Sequence, residues 1–120
     1  MSRPNPIMSS GRPHAWVLDG HRAVPAENMD AAARQFDPEA ADLRRVGWDE
    51  LDAGVTVSTV FIVYDHQFGD GPPLLFETMV FNGDHDGWQD RYPTWEEAEA
   101  GHAAVVAALK AGLGLPGDVD

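Results

Sequence analysis

Apolar and polar positions alternate in short runs along most of the chain, and two segments change to a helical period. Ala15-Trp-Val-Leu18 reads as a first short strand. Asp19-Gly20 offers a hairpin turn into Arg22-Ala-Val24, and Pro25 closes the unit. Between Ala26 and Phe36, the residues Met29, Ala32, Ala33 and Phe36 fall on one face at helical spacing, and Asp37-Pro38 ends that helix. Leu43 to Leu51 follows as an exposed strand carrying Arg44, Arg45, Asp49 and Glu50, with Asp52-Ala-Gly54 as its turn. Val55 to Tyr64 is the clearest strand, rich in β-branched and aromatic residues, with both faces apolar in its second half. Leu74 to Phe81 is the second central strand. Asn82-Gly83 then begins the turn into an edge strand, Trp88 to Tyr92, which Pro93 terminates.

Thr94-Trp-Glu-Glu97 is a capping box that opens the second helix, in which the threonine accepts an amide of the first turn. Trp95, Ala98, His102, Val105, Val106 and Leu109 make its apolar stripe as far as Lys110, and Gly112 and Gly114 stop it. The order is hairpin, helix, meander, helix. It predicts an α+β domain over residues 14–115: an antiparallel sheet of about five strands with two helices packed on one face. Residues 1–13, rich in Pro, Ser and Gly, are expected to be a disordered tail, and 116–120 a solvated one.

Composition narrows the function classes. A hydrophobic fraction of 43% with four tryptophans suits a folded globule, and no apolar run reaches the roughly 20 residues that span a bilayer. The N-terminus lacks the apolar core of a signal peptide. Without cysteine there is no disulfide framework, thiolate metal site or thiol nucleophile, and a reducing, cytoplasmic location follows most simply. The net charge is -12, and two of the basic residues, Arg3 and Arg12, lie in the tail, so the body is more acidic still. Such a field repels phosphate backbones and anionic membranes, which argues against direct nucleic-acid or membrane binding. It suits solubility, cations, basic protein patches, or mimicry of nucleic acid. One lysine against seven arginines, with abundant alanine, matches a GC-rich actinobacterial genome.

The candidate chemistry is an acid and histidine set. Asp65-His66 ends the best strand, Glu77 lies inside the next, and Asp84-His85-Asp86 occupies a turn near one sheet end. Carboxylate and imidazole ligands match Zn, Mn or Mg, so Asp65, His66 and Glu77, joined by His85, form a possible metal clip; otherwise no cofactor is expected. Against this, neighbouring strand residues point to opposite faces, and no His-Glu-x-x-His spacing occurs. The bland alternative has Asp65 and His66 satisfying loop amides. Glu77, if buried, needs His66 or Arg91 as partner, or its pKa rises. His102 is expected as a satisfied core histidine. Asp19-Gly-His21 is a further acid–histidine pair. Gly69-Asp-Gly-Pro-Pro73 lacks the lysine and helix of a phosphate loop, and Ser58 lacks a nucleophile elbow, so no catalytic residue is assigned. Trp48, Trp88, Tyr92 and Trp95 are expected to be mostly core or half-buried. Trp88 and Tyr92, beside Asp84, Asp86 and Asp90, are also a candidate contact patch for a basic protein partner.

Ser58 to Phe81, Arg91-Tyr-Pro-Thr-Trp-Glu-Glu-Ala98, Ala100-Gly-His102, Trp16-Val-Leu-Asp19 and Val24-Pro25 together resemble a group of small uncharacterised proteins. These are encoded by actinobacterial tailed phages, prophages and their hosts. The resemblance covers most of residues 15–110 and implies an intracellular, phage-related setting, with no site residues to carry over. The leading expectation is therefore an acidic accessory protein that binds another protein, a host factor or itself. The alternatives are a metal-binding protein or metal-dependent enzyme, and a virion structural component.

Overall fold

The computed structural model describes residues 8–9, 12–67 and 69–116 of the chain. Much of the expected N-terminal tail, and the C-terminal tail beyond Pro116, fall outside the described residues. Within the first of these, Met8–Ser9 (β1) pairs antiparallel with Arg12–Pro13 (β2). Trp16–Asp19 (β3) and Arg22–Pro25 (β4) form the expected hairpin. Then come Met29–Arg34 (α1), Ala41–Arg44 (α2), Arg45–Glu50 (β5), Thr56–Phe61 (β6), Phe76–Phe81 (β7), Gln89–Tyr92 (β8) and Trp95–Lys110 (α3). The fold is α+β: β5-β6-β7-β8 make one antiparallel meander, and the β3-β4 hairpin is a separate two-stranded sheet.

The hairpin stands apart because β6 stops early. The sequence pattern carries this strand to Tyr64, but it ends at Phe61. Val63 has a φ of 71°, and the Tyr64 N–H donates to the Ile62 carbonyl at 2.8 Å or less, a γ-turn of the strained hand. A β-branched residue rarely adopts that backbone. Here the turn drives the Val63 side chain into full burial and frees its carbonyl for the Trp16 N–H at 2.8 Å. The Asp65 N–H then donates to the His14 carbonyl at 2.9 Å. Two hydrogen bonds thus fasten the hairpin to the end of the main sheet.

Sequence and structure also part company before β5. The expected strand from Leu43 begins instead with the short helix α2, whose last residue, Arg44, is half-buried. Its Nη1 donates to the Phe61 carbonyl at 3.1 Å and its guanidinium lies over the Phe36 ring. Burial lowers the Arg44 pKa from its ordinary value. In α1 the Asn28 side chain accepts the Ala31 N–H at 2.8 Å. Of the apolar stripe read there, only Ala32 is buried, while Met29 and Phe36 are exposed.

Helix α3 covers one face of the meander and touches all four strands. Thr94 caps it as expected, accepting the Glu97 N–H at 3.1 Å. On the covered face, β6 presents Val57, Thr59 and Phe61, and β7 presents Phe76, Thr78 and Val80, all buried. The core therefore has two apolar clusters. One centres on Phe61, Phe76, Leu75, Trp95 and Ala98, the other on Val57, Val80, Val105 and Leu115. Thr59, Thr78 and His102, the buried polar residues, lie between them along the same elements. Among the described residues no helix is long and apolar enough to cross a membrane.

Candidate functional site

The residues named from sequence as a metal clip are kept apart. Asp65 Oδ1 accepts the N–H groups of Gln67 at 2.7 Å and Leu74 at 3.0 Å, closing the loop between β6 and β7. His66 Nδ1 lies 2.8 Å from the Tyr64 carbonyl and so carries the proton that it donates. Glu77 faces away from α3 and accepts from Arg91 Nε at 3.0 Å, its directly opposite neighbour on β8. His85 sits in the turn after Phe81, at the other end of the sheet from Asp65 and His66. No group of three or more acidic, histidine or cysteine side chains among the described residues is arranged to hold a metal ion. Glu77→Gln is therefore expected to act only through Arg91, costing about 1 kcal/mol or less, since the pair is partly exposed. Added Zn²⁺ or Mn²⁺ should shift the thermal midpoints of parent and variant equally; a shift lost in Glu77→Gln would restore the clip.

The candidate contact patch on Trp88 and Tyr92 is likewise redrawn. Both rings are half-buried and pack inward, Trp88 on the second cluster and Tyr92 on the first. The Trp88 indole N–H donates to the Pro116 carbonyl at 2.9 Å, tying down the chain after α3. Asp84, Asp86 and Asp90 are exposed, with Asp86 Oδ1 accepting the Asn82 N–H at 2.6 Å.

A polar belt that the sequence did not single out runs across the covered sheet face. His102 Nε2 meets Asp49 Oδ2 at 2.7 Å, and His102 Nδ1 meets Thr59 Oγ1 at 2.7 Å. Thr59 Oγ1 meets Thr78 Oγ1 at 2.5 Å, and Thr78 is hydrogen-bonded in turn to Tyr92. Each of β5, β6, β7, β8 and α3 contributes one of these residues. The Asp49 carboxylate accepts only, so Nε2 donates to it; in neutral His102 the Nδ1 atom accepts the Thr59 hydroxyl proton. Gly47 makes room for the ring: a Cβ there would stand 2.8 Å from His102 Cδ2 and Nε2.

Asp, His and Thr in hydrogen-bonded series resemble a nucleophile relay, but Thr59 has no solvent exposure and its hydroxyl is engaged on both sides. No electrophile reaches it, and the belt is a clamp between helix and sheet. Burial raises the Tyr92 pKa, Asp90 adds to the rise, and the Thr78 hydrogen bond opposes it. A raised folded-state value gives stability that is intact below the ordinary tyrosine pKa of about 10 and is lost as pH rises through the folded value. The urea midpoint is thus expected to fall above about pH 10, and to fall less in Tyr92→Phe. An equal fall in both proteins would remove Tyr92 as the cause.

Three surfaces remain accessible. The face of the meander opposite α3 is open. Trp48 and Phe81 on it are 47% and 41% exposed, and the half-buried Val60 and Met79 beside them belong to neither core cluster. Register places Trp48 opposite Ser58, Ser58 opposite Met79, and Val60 opposite Glu77, all on that face. Arg45 lies over the Trp48 ring. A cleft of about 360 Å³ lies at the sheet end, between Leu51, Val55, Val80, Asp84, His85 and Lys110. A larger cleft of about 530 Å³ lies between the β3-β4 hairpin, Pro72-Pro73 and the start of α3. Trp16 and Trp95 line it, and both indole N–H groups are buried without a hydrogen-bond partner. Each such donor costs about 1–3 kcal/mol.

Compared with protein-family models, curated proteins and solved structures, the chain matches none.

Proposed function

We propose that this chain is a small acidic accessory protein that acts by binding another protein through the open face of its four-stranded sheet. The observation that carries the reading is the exposure of Trp48 and Phe81 on a face that no described element covers. An antiparallel sheet with one wet face normally turns polar side chains outward. Here a tryptophan, a phenylalanine, Val60 and Met79 stand among Ser58, Thr56 and the Glu77–Arg91 pair. Covering the two exposed rings would remove on the order of 200 Å² from water, about 5 kcal/mol of favourable burial before association costs.

Charge favours a basic partner. Glu50, Asp52, Asp84 and Asp86 are exposed and gather at the sheet end where Phe81 emerges, and the Asn82 side chain binds the Gly54 carbonyl at 3.0 Å to hold the two turns together. An apolar patch with an acidic rim suits an apolar patch rimmed by lysine or arginine, and the net charge of -12 speeds that encounter. The resemblance to small proteins of actinobacterial phages and their hosts supports a partner in the bacterial cytoplasm, a host factor being the leading class.

The test is affinity capture by the tagged full chain, and by a Trp48→Glu, Phe81→Glu double variant, from an actinobacterial lysate at low and high salt. Both baits are first checked for native circular dichroism. A partner held by the parent at low salt, weakened by salt and lost with the variant is the expected result. A partner held equally by both baits, or by neither, overturns the assignment.

A further inference from the structure

We infer that the cleft between the β3-β4 hairpin, the Pro72-Pro73 loop and the start of α3 binds a proline-rich segment of another protein, at a site separate from the open sheet face. The walls are flat and apolar. His21 stacks on Trp95 with ring centroids 3.8 Å apart and planes within 4°, and Trp16, Phe76, Pro73 and Pro93 line the remainder. Flat apolar walls bind proline rings well, and a polyproline helix enters such a groove already ordered, so little entropy is lost.

The unpaired donors define the ligand further. The indole nitrogens of Trp16 and Trp95 are both shielded from water and both without an acceptor. The matching ligand brings acceptors together with apolar surface. A proline-rich backbone does so: its tertiary-amide carbonyls accept strongly, and its prolines have no N–H that needs a partner in return. An anionic acceptor, carboxylate or phosphate, is disfavoured by the charge of -12 and by exposed Asp19 and Glu96 at the rim. Those two carboxylates outnumber Arg22 there and favour an arginine or lysine flanking the prolines. Trp16 is half-buried, so a small rotation of its ring toward the cleft brings its N–H to the ligand.

The test uses the full chain, isotope-labelled for the four indole N–H signals, each assigned by a Trp→Phe variant. The probe is an acetylated and amidated hexaproline peptide ending in one arginine, with the hexaalanine equivalent as control. The Trp16 and Trp95 signals are expected to move downfield and saturate, while those of Trp48 and Trp88 stay in place. Trp16→Phe, which keeps an aromatic ring and removes the donor, should weaken binding about tenfold. Unmoved Trp16 and Trp95 signals, equal movement of all four, or equal binding of the alanine peptide overturns the proposal.

Discussion

Replacing His102 by alanine is expected to destabilise the protein by about 3 kcal/mol, lowering the thermal midpoint by roughly 15 °C. The substitution removes a buried ring and with it the acceptor of the Thr59 hydroxyl and the donor to Asp49. Thr59 and Thr78 have no solvent exposure, so water does not replace what is lost. Asp49 is half-exposed and contributes little of the cost, because solvent takes over its charge. The origin of the effect can be separated from simple loss of volume. Unmet buried polar groups are costly, whereas removing all partners together for apolar groups of similar shape is nearly neutral. A Thr59→Val, Thr78→Val, His102→Leu triple variant should therefore be more stable than His102→Ala alone, an outcome that additive losses do not allow. If the triple variant is the less stable, the belt contributes net hydrogen-bond energy and the clamp argument changes sign.

The second large effect reverses an ordinary rule. Gly101 lies inside α3, where alanine normally gains about 1 kcal/mol. At this position a Cβ would stand well inside van der Waals contact of Tyr92 Cζ and Oη. Tyr92 cannot swing away cheaply, since its ring packs on the first core cluster and its hydroxyl is bonded to Thr78. Gly101→Ala is therefore expected to lower stability by about 2 kcal/mol, as overpacking does. In a Tyr92→Ala background the clash is gone, and the same substitution should stabilise. Urea unfolding of the four proteins gives the answer, and a gain from Gly101→Ala in the parent would show that Tyr92 is not held where the clamp requires it.

Much of the fold could be read from the chain because its signals were local. The hairpin turn, the two central strands, the capping threonine and the α3 stripe each depend on residues within a few positions of one another. The Glu77–Arg91 pair was legible for a similar reason, since a carboxylate in an apolar strand needs a cation and Arg91 was one of the two partners named. The strand break at Val63 was not legible, because valine favours strands and its inverted backbone is set by the Trp16 and His14 contacts of a distant hairpin. The polar belt had a faint signal. Val57-x-Thr59-x-Phe61 and Phe76-x-Thr78-x-Val80 place matching threonines on inward positions, and His102 falls on the stripe that covers them. Nothing nearby in sequence connects Asp49 to that set, or explains Gly47 as the space a histidine ring needs. Trp48 was expected among the half-buried aromatics, yet it stands on the open sheet face. Trp88 and Tyr92 sit on the edge strand but face inward, as period-two alternation decides once the register is known.

The four tryptophans report on four different places, and that makes the functional assignment open to one direct measurement. It is the indole N–H spectrum of the labelled chain before and after addition of the protein retained by capture. Binding through the open sheet face predicts that the Trp48 signal moves while that of Trp88, bonded to Pro116, stays in place. A partner that binds while Trp48 remains unmoved would contradict the assignment of that face.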